Sequence, residues 1–237
     1  MKTHTIIIIF CFASIYAKAV NDSTIFKKNR QFIYNAFYIK NADTLTKEKV
    51  YFKNLGIPWE FQKSQNKCVV NYFPTDSILD VLRKPNLKKR KEWEPVKKIK
   101  TVNSGFIETP KQIWLHPFRS NQYAYTEIAP FPFIIFDSLK VGGSWDGGVM
   151  IILYGWGTFK GKVHSTYKVM RQTNIQLMDT LLTGCWVIKA VGIHNKLGKN
   201  YVEYIFHEDF GFLLMKYSFY DGTKIIFKLD KVIDSKL

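Results

Sequence analysis

The chain has 237 residues, enough for one domain or two small ones, so folding need not depend on disulfides or metals. Hydrophobic residues make up 46%, which excludes wholesale disorder, and aromatics make up 16%, an excess that favours pleated sheets or an aromatic-lined cavity. The formal charge of +16 favours acidic partners such as anionic lipid headgroups, acidic glycans or nucleic acid.

Residues 1–19 have the order of a cleavable secretory signal. Lys2 is the one charge before residue 6, residues 6–16 form an apolar run opened by Ile6-Ile7-Ile8-Ile9-Phe10, and Ala17-Lys18-Ala19 offers a small-x-small cleavage pattern. That run is too short to cross about 30 Å of hydrocarbon comfortably. Cys11 sits inside it behind Ile9 and Phe10, where a lipidation signal needs small residues. Cleavage would remove Lys2 and Lys18 and take the charge from +16 to +14. Export argues against nucleic acid as a partner. No later segment reaches 18 apolar residues, so no transmembrane helix is expected in the mature chain.

Residues 20–105 read as a smaller, mixed α+β segment. Phe26, Phe32, Ile33, Ala36 and Phe37 have spacings that fit one face of a helix, whereas Tyr34, Tyr38 and Ile39 fit an aromatic strand; both readings stay open. Cys68-Val69-Val70-Asn71-Tyr72-Phe73 reads as a strand stopped by Pro74. Thr75 or Asp76 can then cap a helix through Leu82, which must end before Pro85. Residues 83–100 are strongly basic and could dock on an anionic surface or serve as a solvated connection.

Residues 106–237 read as an antiparallel β domain. Val149 opens an apolar run bracketed by Gly147-Gly148 and Gly155-Trp156-Gly157. Val163, Tyr167 and Val169 alternate, as do Trp186, Ile188 and Ala190 in a strand ending near His194. Residues 201–207 form another strand, turned by Asp209-Phe210-Gly211. Leu213, Met215, Tyr217 and Phe219 then share one face, and Ile225, Phe227 and Leu229 another, with Lys216, Lys224 and Lys228 opposite. Asp221-Gly222 between them suits a type I′ hairpin turn. Short strands and turns at this spacing predict a meander that curls into a half-barrel or barrel, because its edges must be hidden.

His116, Arg119 and Glu127 are the densest chemical cluster. They could act as base, anion clamp and orienting acid of a hydrolase, or Arg119 and Glu127 could simply pair across a hairpin. No Gly-x-Ser-x-Gly marks a nucleophile. Val141-Gly142-Gly143-Ser144-Trp145-Asp146-Gly147-Gly148 lacks the Lys-Ser/Thr ending of a phosphate-binding loop and reads as a rim loop. Trp145, Trp156 and Trp186 could form an aromatic platform for a sugar or acyl chain, or pack in core and rim. Cys68 and Cys185 form either one bridge or two separate buried thiols. His116, His164, His194 and His207 show no metal-ligand spacing, and no metal or cofactor is called for.

His116-Pro117-Phe118-Arg119, with Thr126-Glu127, Pro130-Phe131-Pro132, Phe210-Gly211-Phe212 and Asp221-Gly222, resembles a group of uncharacterised exported or lipoprotein-like bacterial envelope proteins between Trp114 and Val232. The resemblance implies an envelope location and no known activity. Together these features lead to the expectation of a non-enzymatic binding module for an apolar or amphipathic ligand such as lipid, with anionic envelope components as partners. The alternatives are the hydrolase and a structural or interaction protein of the envelope.

Overall fold

The structure is a computed structural model that describes residues 24–28, 30–74, 100–152 and 159–234. The expected signal, the helix after Pro74, the basic stretch up to residue 99 and Trp156 lie outside the described residues.

Twelve strands form one antiparallel sheet, nearly closed into a barrel. They are β1 (Gln31–Lys40), β2 (Asp43–Trp59), β3 (Gln62–Pro74), β4 (Lys100–Glu108), β5 (Gln112–Leu115), β6 (Phe133–Ile135), β7 (Ser144–Ile152), β8 (Gly161–Leu177), β9 (Thr180–His194), β10 (Gly198–His207), β11 (Gly211–Ser218) and β12 (Lys224–Ile233). Their spatial order is β6-β5-β4-β3-β2-β1-β12-β11-β10-β9-β8-β7. All neighbours are consecutive in the chain except β1 and β12, which pair from Gln31 with Ile233 to Ile39 with Lys224. β6 and β7 follow each other in sequence yet stand at the two edges, so the barrel has one unzipped seam.

The period of two explains the inner and outer faces. Ile225, Phe227 and Leu229 of β12 are buried while Lys224 and Lys228 are exposed; on β11, Met215 and Tyr217 are buried while Lys216 is exposed. Bilayer-spanning barrels turn apolar residues outward, and here those outward positions carry lysines. Among the described residues no helix is long and apolar enough to cross a membrane.

Where the sequence left helix and strand open, residues 31–40 are strand. Phe32, Tyr34, Ala36 and Tyr38 are buried at intervals of two, and the helix-like spacing arises because Ile33 and Phe37 cover the opposite face. A register shift between Ile33 and Tyr34 accompanies the change. Residues 31–74 therefore add three strands to the same sheet, and the boundary expected at Phe106 falls inside β4. The glycine-rich stretch expected as a rim loop is also partly strand: Ser144 opens β7, and Gly147-Gly148 form a bulge between Asp146 and Val149.

The Asp221-Gly222 hairpin forms with a different turn. Among its residues only Gly222 has a positive φ, of 80°, whereas type I′ needs two such residues. Gly222 N–H donates to Phe219 C=O at 3.1 Å and Phe219 N–H to Thr223 C=O at 2.9 Å, the pattern of a three-residue loop with glycine in its bulge. A double-positive turn occurs instead at Asn41-Ala42, with φ of 52° and 68°, joining β1 and β2.

The barrel interior is filled by its own chain. Between β5 and β6, residues 116–132 cross the interior, including a 3-10 helix at Asn121–Ile128. Phe118 packs against Tyr34 and Phe227 at ring-centroid distances of 5.2 and 5.1 Å, and Tyr123 against Phe227 at 5.1 Å. Polar anchors satisfy the irregular backbone, which would be costly to bury unpaired. Asn200 Nδ2 donates to Ile128 C=O at 2.7 Å, Tyr167 hydroxyl to Phe131 C=O at 2.8 Å, and Tyr204 hydroxyl to Pro130 C=O. Gln122 Nε2 and Tyr123 hydroxyl donate to the Glu48 carboxylate at 2.7 and 2.9 Å.

A second internal contact closes one end. Backbone N–H groups of Thr24, Ile25 and Phe26 donate to the Glu108 carboxylate at 2.8, 2.8 and 2.9 Å, and Phe26 packs against Phe32, Phe52 and Phe106. Three N–H groups converging on one carboxylate make a strong, charge-assisted anchor. Glu108→Ala is expected to destabilise the protein by about 1–3 kcal/mol in urea unfolding, because the partly buried N–H donors lose their acceptor. A change within ±0.5 kcal/mol would contradict that role.

Candidate functional site

A cleft of about 420 Å³ opens at the seam, where β7 and β8 face β3, β4, β5 and the end of the internal crossing. Its size lies within the roughly 300–1,000 Å³ of small-molecule sites. Ring-bearing walls come from Trp114, His116, Phe131, Phe133 and Tyr167; polar groups come from Gln62, Gln65, Gln112 and Ser165. Among the described residues no Asp, Glu, Lys or Arg lines it.

β-Strand alternation sets the walls. Trp114 of β5 turns towards the cleft between the inward Ile113 and Leu115. Phe133 on edge strand β6 meets Trp145 of β7 at 6.4 Å and Tyr167 of β8 at 5.7 Å, bridging the seam with rings where hydrogen bonds are missing. Trp145 stacks on Tyr167 at 5.3 Å with 6° between the planes. On the other side His116 is packed by Trp114, Trp59 and Phe131 at 4.5, 5.4 and 5.7 Å. Gly105 of β4 makes room here: a methyl group at that position would collide with Gln65 Oε1 and the Trp59 ring.

Several polar atoms at the cleft lack partners. Gln65 donates through Nε2 to Gln62 Oε1 at 2.8 Å, but its own Oε1 is buried without a hydrogen-bond partner among the described residues. His116 Nδ1 and, behind it, Trp59 Nε1 are in the same condition. Unsatisfied buried polar atoms are costly, on the order of 1–3 kcal/mol each, and three of them sit in or behind the cleft wall.

The sequence candidates are only partly brought together. His116 lines the cleft; Arg119 and Glu127 do not. Arg119 Nη1 lies 3.6 Å from Glu127 Oε1, and the two are joined around the 3-10 helix, not across a hairpin as expected. Burial first, and the nearby Arg119 charge second, push the His116 pKa down to about 3, so the imidazole is neutral at physiological pH and a weak base. Burial raises the Glu127 pKa, opposed by Arg119.

Of the expected tryptophan platform, Trp145 and Trp186 stand apart, and Trp156 lies outside the described residues. Trp145 is buried at the seam, whereas Trp186 on β9 lies four positions from Ala190, the register partner of Tyr167, and its indole N–H donates to Glu208 at 3.5 Å. Of the two readings for the cysteines, the separate buried thiols hold. Cys68 on β3 and Cys185 on β9 are both free, because each side chain is spent on its own part of the core. No group of three or more His, Cys, Asp and Glu residues able to hold a metal occurs among the described residues.

Trp59, Gln62 and Gln65 were not legible as site residues. They lie around the β2–β3 hairpin, far in sequence from His116, and reach it through the pairing of β3 with β4, where Asn66 opposes Phe106. The available signal was Gly105 within a strand, a position that often marks close approach by another group.

No protein-family model and no curated protein matches the chain. Solved structures do. A protein from Bacteroides fragilis, described as an inferred exported protein with YmcC-like fold, is 9% identical over 89% of this chain and 98% of its own, with a TM-score of 0.51. An inferred lipoprotein from Parabacteroides distasonis is 10% identical over 88% and 97%, with a TM-score of 0.47. The hypothetical lipoprotein YmcC from Escherichia coli is 8% identical over 88% and 89%, with a TM-score of 0.37. The first likeness shows a shared fold, and it covers most of the chain, where the sequence resemblance covered the C-terminal half.

Proposed function

We propose that this protein is an exported, non-enzymatic envelope protein that binds an uncharged, amphipathic ligand in the seam cleft. The observation that carries the reading is the combination of aromatic walls and glutamine amides in a cleft that no charged side chain lines among the described residues. Apolar area supplies affinity, and the few polar groups orient the ligand. The packed interior leaves the seam, not the concave face of the sheet, as the place for it.

Binding is favoured over hydrolysis by the chemistry of the cluster. A histidine with a pKa near 3 gives little drive for proton abstraction, and Arg119 and Glu127, which do not line the cleft, engage one another. Export is supported by the order of residues 1–19 and by the description of the Bacteroides fragilis protein. The lysine-rich exterior would favour contact with anionic envelope components.

The test is native mass spectrometry of the processed protein extracted from its envelope fraction. An adduct of zero charge should be present, and Gln112→Trp, which places an indole in the cleft from a half-buried position, should remove it without lowering the melting temperature by more than a few degrees. A wild-type protein without adduct, or an adduct retained in Gln112→Trp, would count against the cleft. Edman sequencing should begin at Val20; a retained N-terminus would contradict signal cleavage.

A further inference from the structure

We propose that the ligand is a neutral carbohydrate chain, held in the seam cleft and continued outward over the exposed ring of Phe61. The proposal rests on the reading of the cleft as a binding site and names what enters it.

Charge excludes several classes. A carboxylate, phosphate or ammonium group entering the cleft would lose its hydration and meet no charged side chain among the described lining residues, and the Arg119 charge felt at His116 is opposed by Glu127 at 3.6 Å. Burial keeps His116 neutral, so it cannot serve as that counter-charge at physiological pH.

The polar groups then discriminate between uncharged ligands. Gln62, Gln65 and Gln112 line the cleft with amides; Gln65 spends one N–H on Gln62 Oε1, which leaves further amide donors and lone pairs for a ligand. An acyl chain would cover these amides and leave them unpaired, at a cost of about 1–3 kcal/mol for each group sealed from water. A sugar hydroxyl donates and accepts at once, so it can meet an amide oxygen such as that of Gln112 with its proton and an amide N–H with its lone pairs. The C–H face of a pyranose ring, at the same time, is an apolar plate that fits against an indole or phenyl face. Amides and rings are both used only by a ligand of this double character.

The rings also have an order. Phe61 contacts Trp59 at 5.7 Å, Trp59 contacts His116 at 5.4 Å, His116 contacts Trp114 at 4.5 Å, and Trp114 contacts Phe131 at 5.6 Å. The series begins in the cleft and ends at the β2–β3 turn, where Phe61 is 82% exposed and next in sequence to the cleft residue Gln62. One exposed phenylalanine means little by itself. As the outer member of a continuous series it offers a stacking surface that a single sugar unit in the cleft would not reach and a chain would.

The experiment is isothermal titration calorimetry of the processed full-length protein. The probes are maltohexaose, cellohexaose, chitohexaose and mannohexaose, the matching disaccharides, hexagalacturonate as an anionic counterpart, and N-phenyl-1-naphthylamine as an apolar one. At least one neutral hexasaccharide should bind, about tenfold or more tighter than its disaccharide, with hexagalacturonate at least tenfold weaker. Trp114→Ala should abolish binding. Phe61→Ala, at a site too exposed to matter for folding, should weaken the hexasaccharide about three- to tenfold and leave the disaccharide unchanged.

If no neutral hexasaccharide binds while the naphthylamine binds in a Trp114-dependent manner, the carbohydrate assignment falls and the cleft remains a binding site. If none of the probes binds, both readings fall. If a hexasaccharide binds equally well to Phe61→Ala, the path over Phe61 is wrong.

Discussion

Phe118→Ala is expected to cost about 3–5 kcal/mol, the largest loss from any single change considered. Phe118 is buried in the centre of the internal crossing, with its ring against Tyr34 of β1, Phe52 of β2 and Phe227 of β12 at 5.2, 6.3 and 5.1 Å. Those three strands surround the junction where the two halves of the chain pair. Truncation leaves a cavity between rigid, hydrogen-bonded strands that cannot collapse onto it, so both transfer and cavity costs are felt. Urea unfolding should show the lower midpoint, and Phe118→Leu should lose far less than Phe118→Ala. Equal losses for the two variants would mean that the site adapts, and that the crossing is not the fixed plug described.

A second large effect concerns pH. Glu48 is 1% exposed, and burial pushes its pKa up from 4.5 to about 7 despite hydrogen bonds from Tyr123 and Gln122. The groups facing it are those two side chains and Thr46, whose hydroxyl lies 3.4 Å from Gln122 Nε2. Between pH 4.5 and 7 the folded protein holds a proton that the unfolded chain has released, so folding becomes less favourable as pH rises through that window. Over the full shift this amounts to about 3 kcal/mol. Glu48→Gln keeps one oxygen as the acceptor for Gln122, places an amide N–H that the Tyr123 hydroxyl can accept, and removes the titration. Its stability should therefore be flatter from pH 4.5 to 7 and exceed the wild type above pH 7, where the parent carries a buried charge. Parallel stability curves for the two proteins would show that Glu48 does not titrate in this range.

Much of the fold was readable from alternation, because a sheet with one covered face writes its period into the sequence. Leu213, Met215 and Tyr217, then Ile225, Phe227 and Leu229, are inward in the structure as their spacing demands. Alternation fails where both faces are covered. Ile33, 3% exposed on the face opposite Phe32 and Tyr34, breaks the period of β1 and lends it the spacing of a helix. Turn chemistry was readable at Gly222 but not at Ala42, a residue that rarely takes φ of 68° and does so here inside a long hairpin. The cleft was half legible. His116 stood out by type, yet its surroundings come from Trp59, Gln62 and Gln65, and the strand pairings that deliver them leave no local mark.

The unpaired junction between β6 and β7 has a further consequence for how the molecule assembles. Six strands precede that junction and six follow it; β8 to β12 are joined by short turns, whereas the internal crossing separates β5 from β6. Strand pairing joins the two only between β1 and β12, from Gln31 with Ile233 to Ile39 with Lys224, residues far apart in the chain, while the internal crossing packs against both halves. Loop closure over such a span is entropically slow. The β1–β12 pairing is thus the strand contact expected to form last, and the gap on the far side is where the finished protein keeps its opening.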